Sequence, residues 1–311
     1  MSDRPTLPPH IQQSLDRARR LEWWTLGWLV SIVAVMALVM GSSQAMQAAW
    51  IEDMLSLLPP ILFLLAVHFE GKPASPAYPF GLDRLGSLCF LLAAGALTLM
   101  GGYLIYDALH VLIAQEHPTI GSVSLFGHEI WLGWLMMAAL AYSVVPPVIL
   151  GRKKRALAPE LMDKVLFTDA EMNAADWKTG LAGIVGVIGI GFGIWWADAL
   201  AAGVIGADIL RDGLRALRIS VAELLDGAPR ELNSPEVSEA VAKIRAAVPV
   251  DRPVRVRETG RFLHVEIADD QDTTPSEAFQ TKALSKDGWR IVNVTGPAPP
   301  DIRQDARRDE D

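Results

Sequence analysis

Long apolar runs are the feature that most constrains this chain. A helix needs roughly 20 consecutive apolar residues to cross the hydrocarbon core of a bilayer. Runs of about that length are Trp23–Met40, Met46–Phe69, Leu85–Tyr106 and Ile130–Leu150. Hydrophobic residues make up 51% of the chain, which exceeds what a soluble core of this size needs. We therefore predict a membrane protein with several transmembrane helices.

Two further runs are weaker candidates for spans. Leu181–Trp196 is short, and Ala199–Leu217 contains Asp208, Arg211 and Asp212. In the second of these runs, Asp208 extends a polar path through the bundle, pairs with Arg211 or is solvated at a dimer cleft. Counting both runs, the sequence predicts an all-α transmembrane bundle of six helices.

The positions of Lys and Arg predict the orientation, because basic residues stay on the cytoplasmic side of a membrane. None occurs from Leu21 to Gly71, so the loop Gly41–Ala45 between the first two spans is external. The run Arg152–Arg155 contains only basic residues and is therefore internal. The long loop Asp107–His128 is then external. This arrangement puts both termini in the cytoplasm. We predict that the protein spans the plasma (inner) membrane several times.

Cysteine content and net charge exclude several classes of protein. The lone cysteine, Cys89, lies inside an apolar run, so one chain can build neither a disulfide framework nor a cysteine-based zinc site. The formal charge of −8 argues against a nucleic-acid partner.

Two polar stripes indicate where function lies. An ionisable side chain at the centre of a membrane helix costs about 2.5–3.5 kcal/mol, so it is retained for pairing or for use. The stripe residues are Glu52, Asp53 and Ser56 on the second span and Asp169, Met172, Asn173 and Asp176 ahead of the fifth. Helical spacing puts each set on one helix face. Facing each other in a dry interior, the two stripes would form an oxygen cage for a divalent cation.

The alternative is that the same acidic groups are merely hydrated. Glu52 and Asp53 would then lie near the outer interface, and Asp169 and Asp176 in a cytoplasmic linker. Hydropathy places the start of the fifth helix near Thr179, which leaves its acidic stripe outside the membrane.

Two sequence motifs lie next to predicted spans. One follows the second span, and the other opens the sixth. Tyr78–Leu88, with the sequence YPFGLDRLGSL, lies between the second and third spans. Ala197–Leu200 is followed by a helix that ends at Glu223–Asp226. In order and spacing these motifs resemble the cation diffusion facilitator family, over roughly Leu21 to Val294. The resemblance implies a six-helix transmembrane bundle followed by a small cytoplasmic α+β domain, and transport of divalent metal. Because buried carboxylates give up protons to a dication, we expect export from the cytoplasm by proton antiport.

The resemblance also implies a four-ligand transport site with two positions on helix two and two on helix five. Counting back without gaps from the two motifs places these positions at Glu52, Ser56, Met172 and Asp176. Such a quartet lacks the imidazole that suits zinc. The neighbouring residues that are alternative ligands are Asp53, Asp169 and Asn173.

Three interpretations stay open. The first is a transporter with a relocated oxygen-rich site, which favours a harder ion such as Mn or Fe(II) over Zn. The second is a transporter that uses the family positions with unusual selectivity. The third is a relative that has lost transport and serves as a membrane-bound regulatory or scaffolding protein. We expect no enzymatic activity, no cofactor beyond the carried metal ion, and a homodimer embedded in membrane lipid.

The C-terminal region predicts an αββαβ module. Ser234–Ala246 has the apolar spacing of an amphipathic helix that starts at Ser234. Val254–Ile267 predicts two alternating strands joined at Thr259 and Gly260. A short helix about Ser276–Ser285 and a strand Trp289–Val294 complete the module. We expect this module to dimerise, and its single histidine, His264, does not predict a metal-sensing site.

These patterns divide the chain into four predicted regions. They are a cytoplasmic N-terminal segment (1–22), a transmembrane transport domain (23–228), a cytoplasmic dimerisation domain (229–299) and a disordered tail (300–311).

Overall fold

The computed structural model describes residues 7–70, 72, 75–79, 81–117, 119–125, 128–232, 234–250, 252–267 and 277–295. The predicted disordered tail and the predicted helix start at Ser276 lie outside these residues.

Long helices form a bundle that occupies the first two thirds of the chain. They are α1 (Pro9–Val39), α2 (Gln44–Leu55), α3 (Leu58–Glu70), α4 (Leu85–Ala114), α5 (Leu132–Leu161), α6 (Lys164–Gly191) and α7 (Trp196–Leu224). Among the described residues, four stretches are long and apolar enough to cross a membrane, namely Pro9–Val39, Gln44–Glu70, Leu85–Ala114 and Leu132–Leu161. The helices α6 and α7 have comparable lengths of 28 and 29 residues, but they are not among the four stretches that meet this test.

The second apolar run is broken into two helices. The helix α2 ends before Ser56, and α3 starts at Leu58, directly ahead of Pro59 and Pro60. Proline lacks a backbone N–H and clashes with the preceding turn, but it is tolerated in the first turn of a helix. The pair therefore interrupts the run and opens α3. The second proline pair, Pro146 and Pro147, lies inside α5, which continues through it.

The predicted start of the fifth helix near Thr179 is wrong. The helix α6 begins at Lys164, and Asp163 caps it by accepting a hydrogen bond from the Leu166 backbone N–H at 2.9 Å. It ends at Gly191, before the predicted end at Trp196, which instead begins α7. Hydropathy missed the first turns because they pack against α5 rather than lipid. The polar stripe therefore lies on a continuous helix.

The predicted external loop Asp107–His128 is shorter than expected. Its first residues, up to Ala114, continue α4. Strands β1 (Ser122–Leu125) and β2 (His128–Trp131) then form an antiparallel pair that connects to α5. We call this side of the bundle the hairpin end.

The C-terminal unit, residues 239–295, packs around its own apolar core. Its elements are α8 (Glu239–Ala247), β3 (Val254–Thr259), β4 (Phe262–Ile267), α9 (Glu277–Leu284), a 3-10 helix (Ser285–Arg290) and β5 (Ile291–Thr295). The strand order is β3-β4-β5, with β3 and β4 antiparallel and β4 and β5 parallel. Ile244, Leu263 and Ile291 are fully buried in this core.

The predicted start of the first C-terminal helix at Ser234 is wrong. The helix α8 is capped by Ser238, whose hydroxyl accepts a hydrogen bond from the Ala240 backbone N–H. Val237 instead pairs with Arg230 in an isolated antiparallel bridge. This backbone pairing holds the segment before Ser238 extended, so the helix begins later than its apolar spacing indicates.

The helices α4 and α7 approach each other backbone to backbone through glycines. A Cβ atom built on Gly101 would lie 2.5 Å from the backbone nitrogen of Leu210. One built on Gly213 would lie 2.6 Å from the backbone nitrogen of Thr98. Small residues permit such close contact between membrane helices, where dispersion rather than the hydrophobic effect holds helices together.

This packing predicts a difference between two adjacent glycines. We expect Gly101→Ala to destabilise the protein by about 1–3 kcal/mol, because the added methyl group meets the α7 backbone. Gly102→Ala is the matched control, since nothing lies within 4 Å of a Cβ at that position. Thermal unfolding of the purified protein in detergent measures both. Equal melting temperatures for the two variants would contradict this account of the α4–α7 contact.

Candidate functional site

Two acidic residues end the helix α2 with unpaired oxygens. Glu52 and Asp53 lie on its last turn, and Asp53 is 9% exposed. The Glu52 Oε2 and Asp53 Oδ2 atoms are buried and have no hydrogen-bond partner among the described residues. Most buried polar atoms in folded proteins are paired, so unpaired carboxylate oxygens require an explanation such as a missing ion. These two side chains are therefore the first components of a candidate ion site.

A third acidic residue reaches the same region from α6. Asp176 is partly buried and interacts electrostatically with Glu52 and Asp53. Thr179, one turn further along α6, lies close to Glu52. Asp208 of α7 also interacts electrostatically with Glu52. We call Glu52, Asp53 and Asp176 the acidic cluster, which Asp208 extends toward α7.

The acidic cluster is not drawn together in this structure. Within the described part of the chain, no three His, Cys, Asp or Glu side chains converge closely enough to hold a metal ion. Like charges repel strongly where water is scarce. The three carboxylates share one region without sharing a ligand position, so binding an ion there requires local movement of the side chains.

Two of the predicted ligand positions have structural partners. Ser56 caps α2, and its backbone N–H donates to the Glu52 carbonyl oxygen at 2.8 Å. Met172 packs against an apolar cluster that includes Leu97 and Ile205. The Met172 side chain therefore serves apolar packing.

The remaining predicted ligands, Asp169 and Asn173, belong to a buried ion network. The Lys154 ammonium group contacts the Asp169 carboxylate and lies 3.2 Å from Glu22 Oε2. The Asn173 side-chain amide donates to Asp169 Oδ1 at 2.9 Å. All four side chains are at most 1% exposed. We call Glu22, Lys154, Asp169 and Asn173 the lysine network.

Sequence analysis missed Glu22 and Lys154. Glu22 immediately precedes the predicted first span, and Lys154 was assigned with its basic neighbours to the cytoplasmic surface. A helical-phase signal was present, however, because Ser143, Pro147, Leu150, Lys154 and Ala158 all lie on the buried face of α5. Extending the apolar stripe of α5 beyond the hydrophobic run would have placed Lys154 inside.

Ion pairs also connect the bundle to the C-terminal unit. The Arg261 guanidinium lies 3.0 Å from Glu70 of α3 and 3.4 Å from Asp163, the cap of α6. Lys164, the first residue of α6, contacts Glu223 of α7 and Glu258 of β3. Arg261 and Lys164 therefore connect α3, α6 and α7 to the C-terminal unit.

His264 lies beside positive charge. Burial and the neighbouring Arg257 and Arg84 lower the pKa of His264. Both guanidinium groups repel a cation at this imidazole, while Asp226, which pairs with both of them, offsets part of that repulsion.

The fold and these buried charges define a multi-pass helical membrane protein with a polar interior. Residues 25–225 match the model of a family described as the cation efflux transmembrane domain. The chain belongs to the cation efflux family, and the resemblance to cation diffusion facilitators is confirmed.

Curated relatives carry the names of transporters. The chain is 21% identical over 262 residues to the manganese efflux system protein MneS of Bacillus subtilis, covering 81% of this chain and 85% of that protein. It is 25% identical over 272 residues to a probable cation efflux system protein of Mycobacterium tuberculosis, covering 86% and 76%. It is 26% identical over 177 residues to the zinc transporter ZitB of Yersinia pseudotuberculosis, covering 55% and 50%.

The connection to the C-terminal unit predicts a stability effect. We expect Arg261→Gln to lower the free energy of unfolding by about 3 kcal/mol, because it leaves Glu70 and Asp163 without a cationic partner. Arg255→Gln is the control, since Arg255 is exposed on the neighbouring strand β3. Chemical unfolding in detergent measures the difference. An Arg261 variant as stable as the Arg255 variant would show that these pairs contribute little.

Proposed function

We propose that this protein exports a divalent metal cation from the cytoplasm in exchange for protons, with the acidic cluster as its ion site. The observation that carries the proposal is the pair of unpartnered buried oxygens, Glu52 Oε2 and Asp53 Oδ2, in electrostatic reach of Asp176. A dication would give these oxygens the partner they lack. Membership of the cation efflux family supports metal export as the use of such a site.

The chemistry of the donors favours a hard ion. The acidic cluster offers carboxylate oxygens, and Thr179 and Asp208 beside it add further oxygens. Carboxylate and hydroxyl oxygens suit Mn²⁺ or Fe²⁺, whereas zinc transport sites gain from imidazole. The alignment with a relative named for manganese efflux covers 81% of this chain, which supports Mn²⁺ as the transported ion.

Proton exchange follows from the ligand chemistry. Carboxylates must be deprotonated to coordinate a metal ion, so binding and release of the ion are linked to release and uptake of protons. The ion would enter from the cytoplasm, and the helices would then rock to expose the acidic cluster on the other side. This linkage makes antiport the natural mode of transport.

The topology we propose has six spans and both termini in the cytoplasm. The second span is formed by α2 and α3 together, and α6 and α7 are long enough to be the fifth and sixth. With the predicted domain boundaries at residues 22, 228 and 299, the bundle would lie in the plasma (inner) membrane. The C-terminal unit would then lie in the cytoplasm. We propose that this unit mediates a homodimer.

A transport-inactive regulatory or scaffolding protein is the second candidate. It is favoured by one observation, namely that no group of three ligating side chains is assembled within the described residues. Flux measurements separate the two candidates.

Transport by proteoliposomes tests the proposed site. We expect Asp176→Asn and Glu52→Gln to lower Mn²⁺ flux at least about tenfold, because each removes a charged ligand worth more than about 1.4 kcal/mol. Glu160→Gln is the control, since Glu160 is an exposed residue of α5. Wild-type flux in both acidic variants would remove the site assignment.

The same vesicles test proton coupling and the second candidate. A pH-sensitive dye inside them should report proton movement opposite to Mn²⁺ movement in the wild type. Mn²⁺ flux without proton movement would contradict antiport. If the folded wild-type protein moves no Mn²⁺, Fe²⁺ or Zn²⁺, the regulatory candidate replaces the transporter.

A further inference from the structure

Lys154 is a lysine with no access to solvent at the junction of three helices. Its side chain is 0% exposed, and its ammonium group lies between Glu22 of α1 and Asp169 of α6. A buried ammonium loses its hydration and is tolerated only where anions replace it. The two carboxylates supply that replacement, so the lysine network already contains a cation.

The lysine network contains more oxygen atoms than the Lys154 ammonium group contacts. Glu22 Oε1 and Asn173 Oδ1 are buried and have no hydrogen-bond partner among the described residues. Glu22 is 0% exposed and Asn173 is 1% exposed. Two carboxylates and an amide oxygen are ligands that hard divalent cations prefer. The ammonium group therefore occupies a position where a hard divalent cation would have suitable ligands.

The lysine network adjoins the acidic cluster. Asp176 interacts electrostatically with both Asp169 and Lys154. Asp169, Asn173 and Asp176 follow one another at the spacing of helix turns on α6. The polar interior is thus continuous along α6. One part holds an ammonium group, and the other holds carboxylates for which the described residues provide no ion pair.

We propose that Lys154 is a tethered cation that keeps the transported ion off Glu22 and Asp169 and confines it to the acidic cluster. The inference rests on the proposed function, because it assigns the limits of the same site. Lys154 acts as a positioning residue: it touches no transported ion, and its charge raises the energy of any dication that approaches Asp169. Asp169 and Asn173 are then excluded from the ligand set.

The consequence is that removing the ammonium uncovers a second ion site. In Lys154→Met, a side chain of similar length carries no charge, and Glu22 and Asp169 become available to a metal ion. Arg155→Met is the matched control. It removes the same charge from the next residue of α5, where Arg155 pairs with Glu171 at 2.8 Å and its side chain is 61% exposed.

The experiment counts Mn²⁺ ions bound to the full-length protein in detergent. Equilibrium dialysis followed by elemental analysis gives the number of ions per chain, and thermal unfolding with and without Mn²⁺ gives the stabilisation. We expect Lys154→Met to bind one more Mn²⁺ per chain than the wild type or Arg155→Met. Its melting temperature should also rise more with Mn²⁺, because an ion bound only to the folded state stabilises it. The double variant Lys154→Met/Asp169→Asn should lose both effects.

Failure of the inference is distinct from failure of the proposed function. A folded Lys154→Met protein that binds the wild-type number of ions overturns the inference, whatever the flux. If this variant unfolds in metal-free buffer, millimolar Mn²⁺ should restore its folding, and absence of rescue also overturns it. A wild type without flux refutes the proposed function, yet the extra ion in Lys154→Met remains measurable.

Discussion

An ammonium group enclosed by apolar helices needs anions at contact distance, because nothing else replaces its lost hydration. Lys154 obtains them from Glu22 and Asp169, and this requirement fixes how α1, α5 and α6 lie against one another. The orientation of α6 then determines where its other polar residues point. Asp176, two turns beyond Asp169, reaches the same side of the bundle as Glu52 and Asp53. The geometry of the acidic cluster thus depends on a charge that belongs to a neighbouring network.

Hydropathy predicted the elements that lipid stabilises and misplaced those that protein contacts stabilise. The spans within α4 and α5 follow from their apolar sequence, which is long enough to cross a bilayer. The first turns of α6 are polar, so a scale of transfer to lipid scores them as a linker. Their stability comes from the Asp163 cap and from packing on α5, which a single-sequence scale does not contain.

The candidate site, like the helices, could be predicted from the sequence only in part. Helical spacing predicted that the members of each stripe share a face, and the structure brings Glu52, Asp53 and Asp176 into one region. Spacing alone does not determine which neighbour meets each side chain. Asp169 contacts Lys154, which lies 15 residues earlier on a different helix, so the spacing along α6 does not predict this pair. Met172 meets apolar side chains of α4 and α7. Contacts between distant segments decided both outcomes.

The break between α2 and α3 adds a source of attraction that no side chain provides. A helix end leaves carbonyl oxygens without partners in the helix and carries a partial negative charge. Here that end falls at Leu55, within one turn of Glu52 and Asp53 and well inside a 27-residue stretch of bilayer-crossing length. The last turn of α2 therefore offers main-chain carbonyl acceptors beside these two residues, while the N-terminus of α3 at Leu58 opposes part of their field. Unlike the carboxylates, these carbonyl oxygens do not take up protons, so a cation keeps main-chain acceptors there when the side chains are protonated.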